Sequence, residues 1–154
     1  MTVLPFDHLK KMNMELFTQT TGLTSLILRL TLGLVMLPHG WQKMAHFNNT
    51  LMHLQQDYHL PWLVAVLVIL TEFIAPVLLV AGLASRAMAL LLILLMTGAV
   101  FAGHHWQHGF FMNWFGNQKG EGFEYHLLAI GLGIAIVLSG SGKWSVDQLL
   151  GSRW

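Results

Sequence analysis

Apolar residues are gathered into four runs along this chain. Residues 23–41 form the first, broken by Arg29, and residues 61–83 the second, which contains Glu72 and Pro76. Residues 87–103 form an uninterrupted third run, and residues 124–138 a fourth and shortest one. A helix needs about 20 mostly apolar residues to cross a hydrocarbon core of about 30 Å. The last two runs fall short of that, so they need flanking residues or a thinned bilayer to cross. Any one run would also suit a buried helix of a soluble bundle. Four of them leave no amphipathic helix to cover the rest, so the pattern predicts an all-α bundle of four transmembrane helices.

The connections set the topology. Only residues 82–86, Gly-Leu-Ala-Ser-Arg, separate the second and third runs, which must therefore form an antiparallel hairpin. Residues 42–60 and 104–123 are longer and crowded with His, Asn, Gln and aromatic side chains. They are expected to be loops on the opposite side, and to carry the working surface. Residues 1–22 hold Lys10 and Lys11 without an apolar run or a small-residue cleavage site, and read as a cytoplasmic segment rather than a cleaved leader. The spacing of Leu4, Phe6, Leu9, Leu16 and Phe17 is too weakly periodic to define an interfacial helix there. After the fourth run Gly140 and Gly142 break the helix, and Ser145 with Gln148 has the spacing of a capping box. A short helix is expected from near Val146. The membrane domain is thus bounded at 23–150, and residues 151–154 form a tail.

Composition agrees with lipid as the solvent. Of the 154 residues 55% are apolar and 10% are Asp, Glu, Lys or Arg, against roughly 25% charged in a typical soluble domain. A net charge of +1 leaves no basic footprint for nucleic acid. The absence of cysteine excludes disulfides and thiol chemistry. Under four crossings Lys10, Lys11, Arg86, Lys143 and Arg153 share one side, with Arg29 just inside it, while Lys43 and Lys119 lie on the other. The richer side is expected to be cytoplasmic, with both termini inside and the two long connections outside.

Ionisable groups within the spans are the first candidates for chemistry, because a charge near the bilayer centre costs about 2.5–3.5 kcal/mol on insertion scales. Arg29, Gly33, Met36, Gly40 and Lys43 follow three-and-four spacing and share a helix face, bordered by His39. Glu72 lies halfway along the second run and needs either a proton or a cation. Arg29 and His39 are its expected partners, in a structural pair or in a proton-handling site. Eight of the nine histidines fall on the outer side: His39, His46, His53, His59, His104, His105, His108 and His126. Imidazole ligates zinc, copper or haem iron and shuttles protons near neutrality. His104, His105 and His108 can converge if locally helical, which makes them the candidate metal ligands. A hydrated rim beside an aromatic belt of Trp41, Trp62, Trp106 and Trp114 explains the same residues without a ligand.

Several of these residues fall into motifs. Arg29-Leu-x-x-Gly33 leading to His39-Gly-x-x-Lys43 resembles the first-helix signature of the DoxX family. Glu72 followed by residues 78–86, Gly122-Phe-Glu-Tyr125, and Gly140-Ser-Gly-Lys-Trp-Ser-Val-Asp147 resemble its later segments in the same order, over residues 23–150 or so. The matched positions are Arg29, His39, Gly40, Lys43, Glu72, Glu124 and Asp147. The resemblance implies a four-helix protein of the bacterial inner membrane, an oxidoreductase or a membrane subunit of one. Some relatives are linked to thiosulfate oxidation with quinone as acceptor, some to quinone or catechol stress, and some to metal handling.

On that footing a quinone is expected between the first, second and fourth helices, with Glu72 and His39 catalytic. Arg29, Lys43, Glu124 and His126 would complete its binding set. The chain carries no evident electron carrier. A soluble or membrane redox partner, or haem, copper or zinc at the histidine rim, would have to supply electrons. The rival readings are a non-enzymatic protein handling copper, zinc or a small solute, and a structural subunit. Glycine-bearing helix faces would also serve a homo-oligomer.

Overall fold

A computed structural model describes the backbone of residues 6–151 and the side chains of residues 22–151. All regular structure among the described residues is helical. α1 runs over Phe6–Ala45, α2 over Phe47–Gln56, α3 over Trp62–Ala81, α4 over Ser85–Ala102, α5 over Glu124–Ser139 and α6 over Val146–Leu149. Three stretches are long and apolar enough to cross a membrane: Gly22–Ala45 of α1, Trp62–Ala81 and Ser85–Ala102. Glu124–Ser139 is a shorter apolar helix.

α1, α3, α4 and α5 form a closed ring in which α1 and α4 each touch both α3 and α5. Partners on α3 run backwards as α1 advances: Arg29 meets Leu79, Gly33 meets Pro76 and Val80, and Gly40 meets Glu72. The two helices are therefore antiparallel, as are α3 and α4 across their short turn. Burial from water gives no drive between helices inside lipid, so close packing of small side chains has to hold the bundle. Ala75, Ala89 and Ala129 accordingly share the core with Leu32, Met36, Leu79, Leu92, Met96 and Ile136.

One contact fixes the register of α1 against α3. Pro76 has no N–H, so the carbonyl of Glu72, four residues earlier, loses its helical donor. Gly40 closes on that carbonyl: a Cβ at position 40 would lie 2.1 Å from its oxygen. Only a glycine allows this approach, which leaves the Cα hydrogens of Gly40 facing the freed acceptor.

Two expectations are corrected. Residues 42–60 are not a loop: α1 continues to Ala45, and α2 follows after a single residue. The polar composition masked a helix whose Phe47, Leu51 and Leu54, spaced four and three apart, pack against Ala65 and Ile69 of α3. The segment before residue 23 continues α1 as helix from Phe6. The side chains of Lys10, Lys11 and Arg153, which enter the charge asymmetry, lie outside the described residues. Residues 104–123 do form a loop, with one 3-10 turn at His105–Gln107. α6 starts at Val146 with Ser145 as its cap, the hydroxyl accepting from the Gln148 amide at 3.2 Å. The return contact is displaced by one residue, since the Gln148 side chain accepts from the Trp144 amide.

Candidate functional site

Glu72 is paired with Lys43, not with Arg29 or His39. The pairing follows from the register just described. Lys43 lies three residues beyond Gly40 on the same face, so seating Gly40 on the Glu72 carbonyl brings the ammonium to the carboxylate. The Glu72 side chain is 4% exposed and that of Lys43 37%. The buried acid thus has its countercharge, and the cation reaches beyond the pair. An ammonium has three donors, and this contact uses one of them.

The pair stands at the polar end of a half-enclosed cavity of about 490 Å³. That volume lies within the range of about 300–1,000 Å³ usual for small-molecule sites. His39, Tyr125, His105 and His126 join Lys43 and Glu72 in its lining, and Glu121 and Tyr58 reach it from the loop and from beyond α2. The remaining wall is apolar, from Leu54, Leu60, Val64 and Val68 on one side and Leu94, Leu95 and Met96 on the other. Aromatic contacts order the polar end. Tyr125 lies 5.7 Å from the His39 ring and 5.8 Å from the His126 ring, centroid to centroid, and the His105 and His126 rings are 4.5 Å apart. The Tyr125 hydroxyl points to Met36 Sδ at 3.0 Å. Nδ1 of buried His126 has no partner among the described residues.

Arg29 belongs to the other end of the bundle. It is fully buried and donates to the carbonyls of Leu79 and Val80 at the end of α3, at 3.1 and 3.4 Å, and to those of Lys143 and Trp144, each at 3.3 Å. Asp147, also buried, accepts from the Ala84 and Ser85 amides at 2.8 and 3.2 Å and from the Ser141 hydroxyl. Its own amide donates to the carbonyl of Gly82. The cation therefore sits at the C-terminus of α3 and the carboxylate at the N-terminus of α4, each matched to the local helix dipole. α4 has no capping side chain of its own, and Asp147 serves as one from 62 and 63 residues away in sequence. Burial alone would raise the Asp147 pKa. The Ser141 hydroxyl, the two amides and the charge of Arg29 outweigh it and hold the carboxyl below its ordinary value.

Of the residues expected at the site, His39, Lys43, Glu72 and His126 line the cavity together, while Arg29 and Glu124 do not. Glu124 braces the adjoining loop instead, accepting from the Met112 amide at 3.3 Å. His104, His105 and His108 do not come together. His105 turns to His126 and to the Glu121 carbonyl, His104 meets Gln107, and His108 packs on Gly120. Among the described residues no group of three or more His, Asp or Glu is placed to hold a metal ion. The 3-10 turn is too short to bring residues four apart onto one helical face. Tyr125 and Glu121 were missed. Tyr125 had a signal, as one of two tyrosines in the chain, directly beside His126 at the start of the last apolar run.

Fold and site together define a multi-pass α-helical membrane protein with a polar cavity at one end of its bundle. A family model, DoxX, matches residues 24–105, more than half of the chain, and the protein belongs to that family. No curated protein and no solved structure matches the chain.

Proposed function

We propose that this chain is a redox-linked membrane component that binds a quinone-type ring in the cavity, with its polar edge at Lys43, Glu72, His39, Tyr125 and His126. The observation that carries the reading is the juxtaposition of a buried acid, a partly exposed cation and three histidines at the polar end of a pocket whose opposite walls are apolar. Reducing a quinone to its hydroquinone takes two electrons and two protons. Lys43 would donate a hydrogen bond to a ring oxygen, and Glu72 would hold Lys43 in position and exchange protons with it. His39 and His126 are the neighbouring imidazoles, each with ring nitrogens able to hydrogen-bond a ring oxygen or a water beside it. Electrons would come from a redox partner protein.

In this reading the protein sits in a bacterial-type inner membrane and α5 makes a fourth crossing. Its 16 residues span about 24 Å, which a modest thinning of the bilayer accommodates. Both termini and Arg86 then face the cytoplasm, and the cavity with the 104–123 loop lies toward the outside.

The test is quinone binding and quinone-dependent turnover by the full chain in lipid nanodiscs. Glu72→Gln and His39→Ala are each expected to lower turnover while the protein stays folded. Loss of assembly in both variants, with specific activity retained by the folded fraction, would make the polar stripe a structural feature.

A further inference from the structure

The cavity wall opposite the polar groups is made by exposed positions on α3 and α4. Val64 on α3 is 42% exposed and Leu94 on α4 61% exposed, yet both line the cavity. Gly98, one turn beyond Leu94, is exposed as well, and a Cβ there would meet nothing within 4 Å. Both helices are long and apolar enough to span the bilayer. The two are joined at the far end by residues 82–84, and the cavity lies between the start of α3 and the end of α4. A side chain that is exposed on a membrane-spanning helix and also lines an internal cavity marks a place where that cavity meets the hydrocarbon.

From this we infer that the cleft between Val64 and Leu94–Gly98 is a lateral portal, and that the occupant is a membrane-dissolved amphiphile. Its ring would reach Lys43 and Glu72 while an alkyl tail trails through the portal into lipid. This rests on the quinone reading of the site and adds the route and the ligand class: a tailed quinone drawn from the bilayer rather than a soluble ring. The distribution of polarity supports that class. Charged and imidazole groups are confined to the inner and loop ends of the cavity, and the portal side offers Val64, Val68, Leu94 and Gly98, with no donor or acceptor side chain for a polar substituent. Exposed Glu121 and half-buried His105 connect the polar end to the aqueous loop, so protons and the lipophilic molecule would reach the site from different sides.

The experiment is photocrosslinking of the full chain in nanodiscs with an alkyl benzoquinone that carries a diazirine on its tail, competed by excess decylubiquinone and mapped by mass spectrometry. Competable adducts on the peptides holding Val64 and Leu94 are expected. Gly98→Phe should lower their yield about tenfold, equivalent to about 1.4 kcal/mol of affinity. Gly131→Phe is the control, since Gly131 is also exposed with open space around it but lies away from the cavity, and its yield should stay at the wild-type level. Competable adducts confined to α2 and residues 103–123 would overturn the lateral route and leave the quinone reading standing. Adducts that decylubiquinone does not compete would overturn the quinone reading and the occupant of the portal with it.

Discussion

Removing Lys43 separates what the ion pair does for the fold from what it does for a ligand. Lys43→Met leaves Glu72, 4% exposed, without its countercharge. Breaking a buried pair from one side costs about 3–5 kcal/mol. With the Lys43 side chain 37% exposed, water screens part of the interaction, so the expected loss is about 3 kcal/mol or somewhat less. For a chain of 154 residues, about 2–4 °C per kcal/mol converts about 3 kcal/mol to a fall in melting temperature of about 6–12 °C. Glu72→Gln is milder, because the ammonium it frees already reaches solvent. The double variant Lys43→Met/Glu72→Gln has no charge left to strand, and should recover about 1–3 kcal/mol of the loss. Binding should not recover with it. Both variants that lack Lys43 lose the charge-assisted donor, worth about 1.5–3 kcal/mol, so decylubiquinone affinity should fall about tenfold or more in each. Thermal melts and nanodisc titrations of the four proteins complete the cycle. A double variant no more stable than Lys43→Met would refute the energetic pairing, and one that regains wild-type affinity would refute the role of Lys43 at the ligand.

Other expectations follow from the same geometry. Asp147→Ala strands the Ala84 and Ser85 amides and takes the countercharge from Arg29, so it should cost about 3 kcal/mol or more and open the chain to trypsin after Lys143. The Asp147 pKa is lower folded than unfolded. Its contribution is therefore complete above the ordinary value of 3.8 and is lost as pH falls through the lower folded value. Amide protection factors in residues 140–150, which divide out the intrinsic pH dependence of exchange, should hold from neutral pH down to 3.8 and fall only in stronger acid. Gly40→Ala puts a methyl group 2.1 Å from a backbone oxygen and should destabilise by about 1–3 kcal/mol or more, whereas Gly131→Ala, with open space around it, should leave the melting temperature near that of the wild type. Because the chain has no cysteine, single substitutions report sidedness. Gln118→Cys is expected to react with an impermeant maleimide from outside intact cells, and Arg86→Cys and Leu149→Cys only after permeabilisation. Labelling of Gln118→Cys and Leu149→Cys from the same side would remove the fourth crossing.

The apolar helices were legible in the sequence because lipid leaves a chain few options: a spanning segment must satisfy its own backbone and present apolar side chains nearly all round. The shared face of Arg29, Gly33, Gly40 and Lys43 was legible for a similar reason, since helix periodicity alone fixes it. Which of its two cations meets Glu72 was not. Arg29 and Lys43 are 14 residues apart, about 21 Å along the axis, so one carboxylate cannot serve both. The choice depends on the sliding register of α1 on α3, a tertiary quantity. Its trace in the sequence was Pro76 four residues after Glu72, freeing a carbonyl, and a glycine one turn before Lys43. α2 escaped notice for the opposite reason: its buried positions are a minority among His, Asn and Gln, and polarity read as loop. The three-histidine cluster failed because neighbours in sequence at a loop entry need not face one point.

The two ends of the bundle use similar charges to different effect, and the difference lies in how completely each cation is engaged. Arg29 spends both terminal nitrogens on four backbone carbonyls, with Asp147 nearby, and none of its surface is exposed. Nε alone lacks a partner among the described residues. Such a group can hold the α3–α4 turn and the chain after α5 together, but it has little left to offer a ligand. Lys43 has one carboxylate partner, over a third of its side chain exposed, and a cavity in front of it. A buried charge that is fully engaged rigidifies a structure, and one that is half engaged beside a cavity is available for binding. Both cations fall within the segment matched to the DoxX family, and Arg29-Leu-x-x-Gly33 and His39-Gly-x-x-Lys43 read as one motif in the sequence. In the folded chain they separate into a structural half at the α3–α4 turn and a half that lines the cavity, joined by the glycine face that packs α1 on α3.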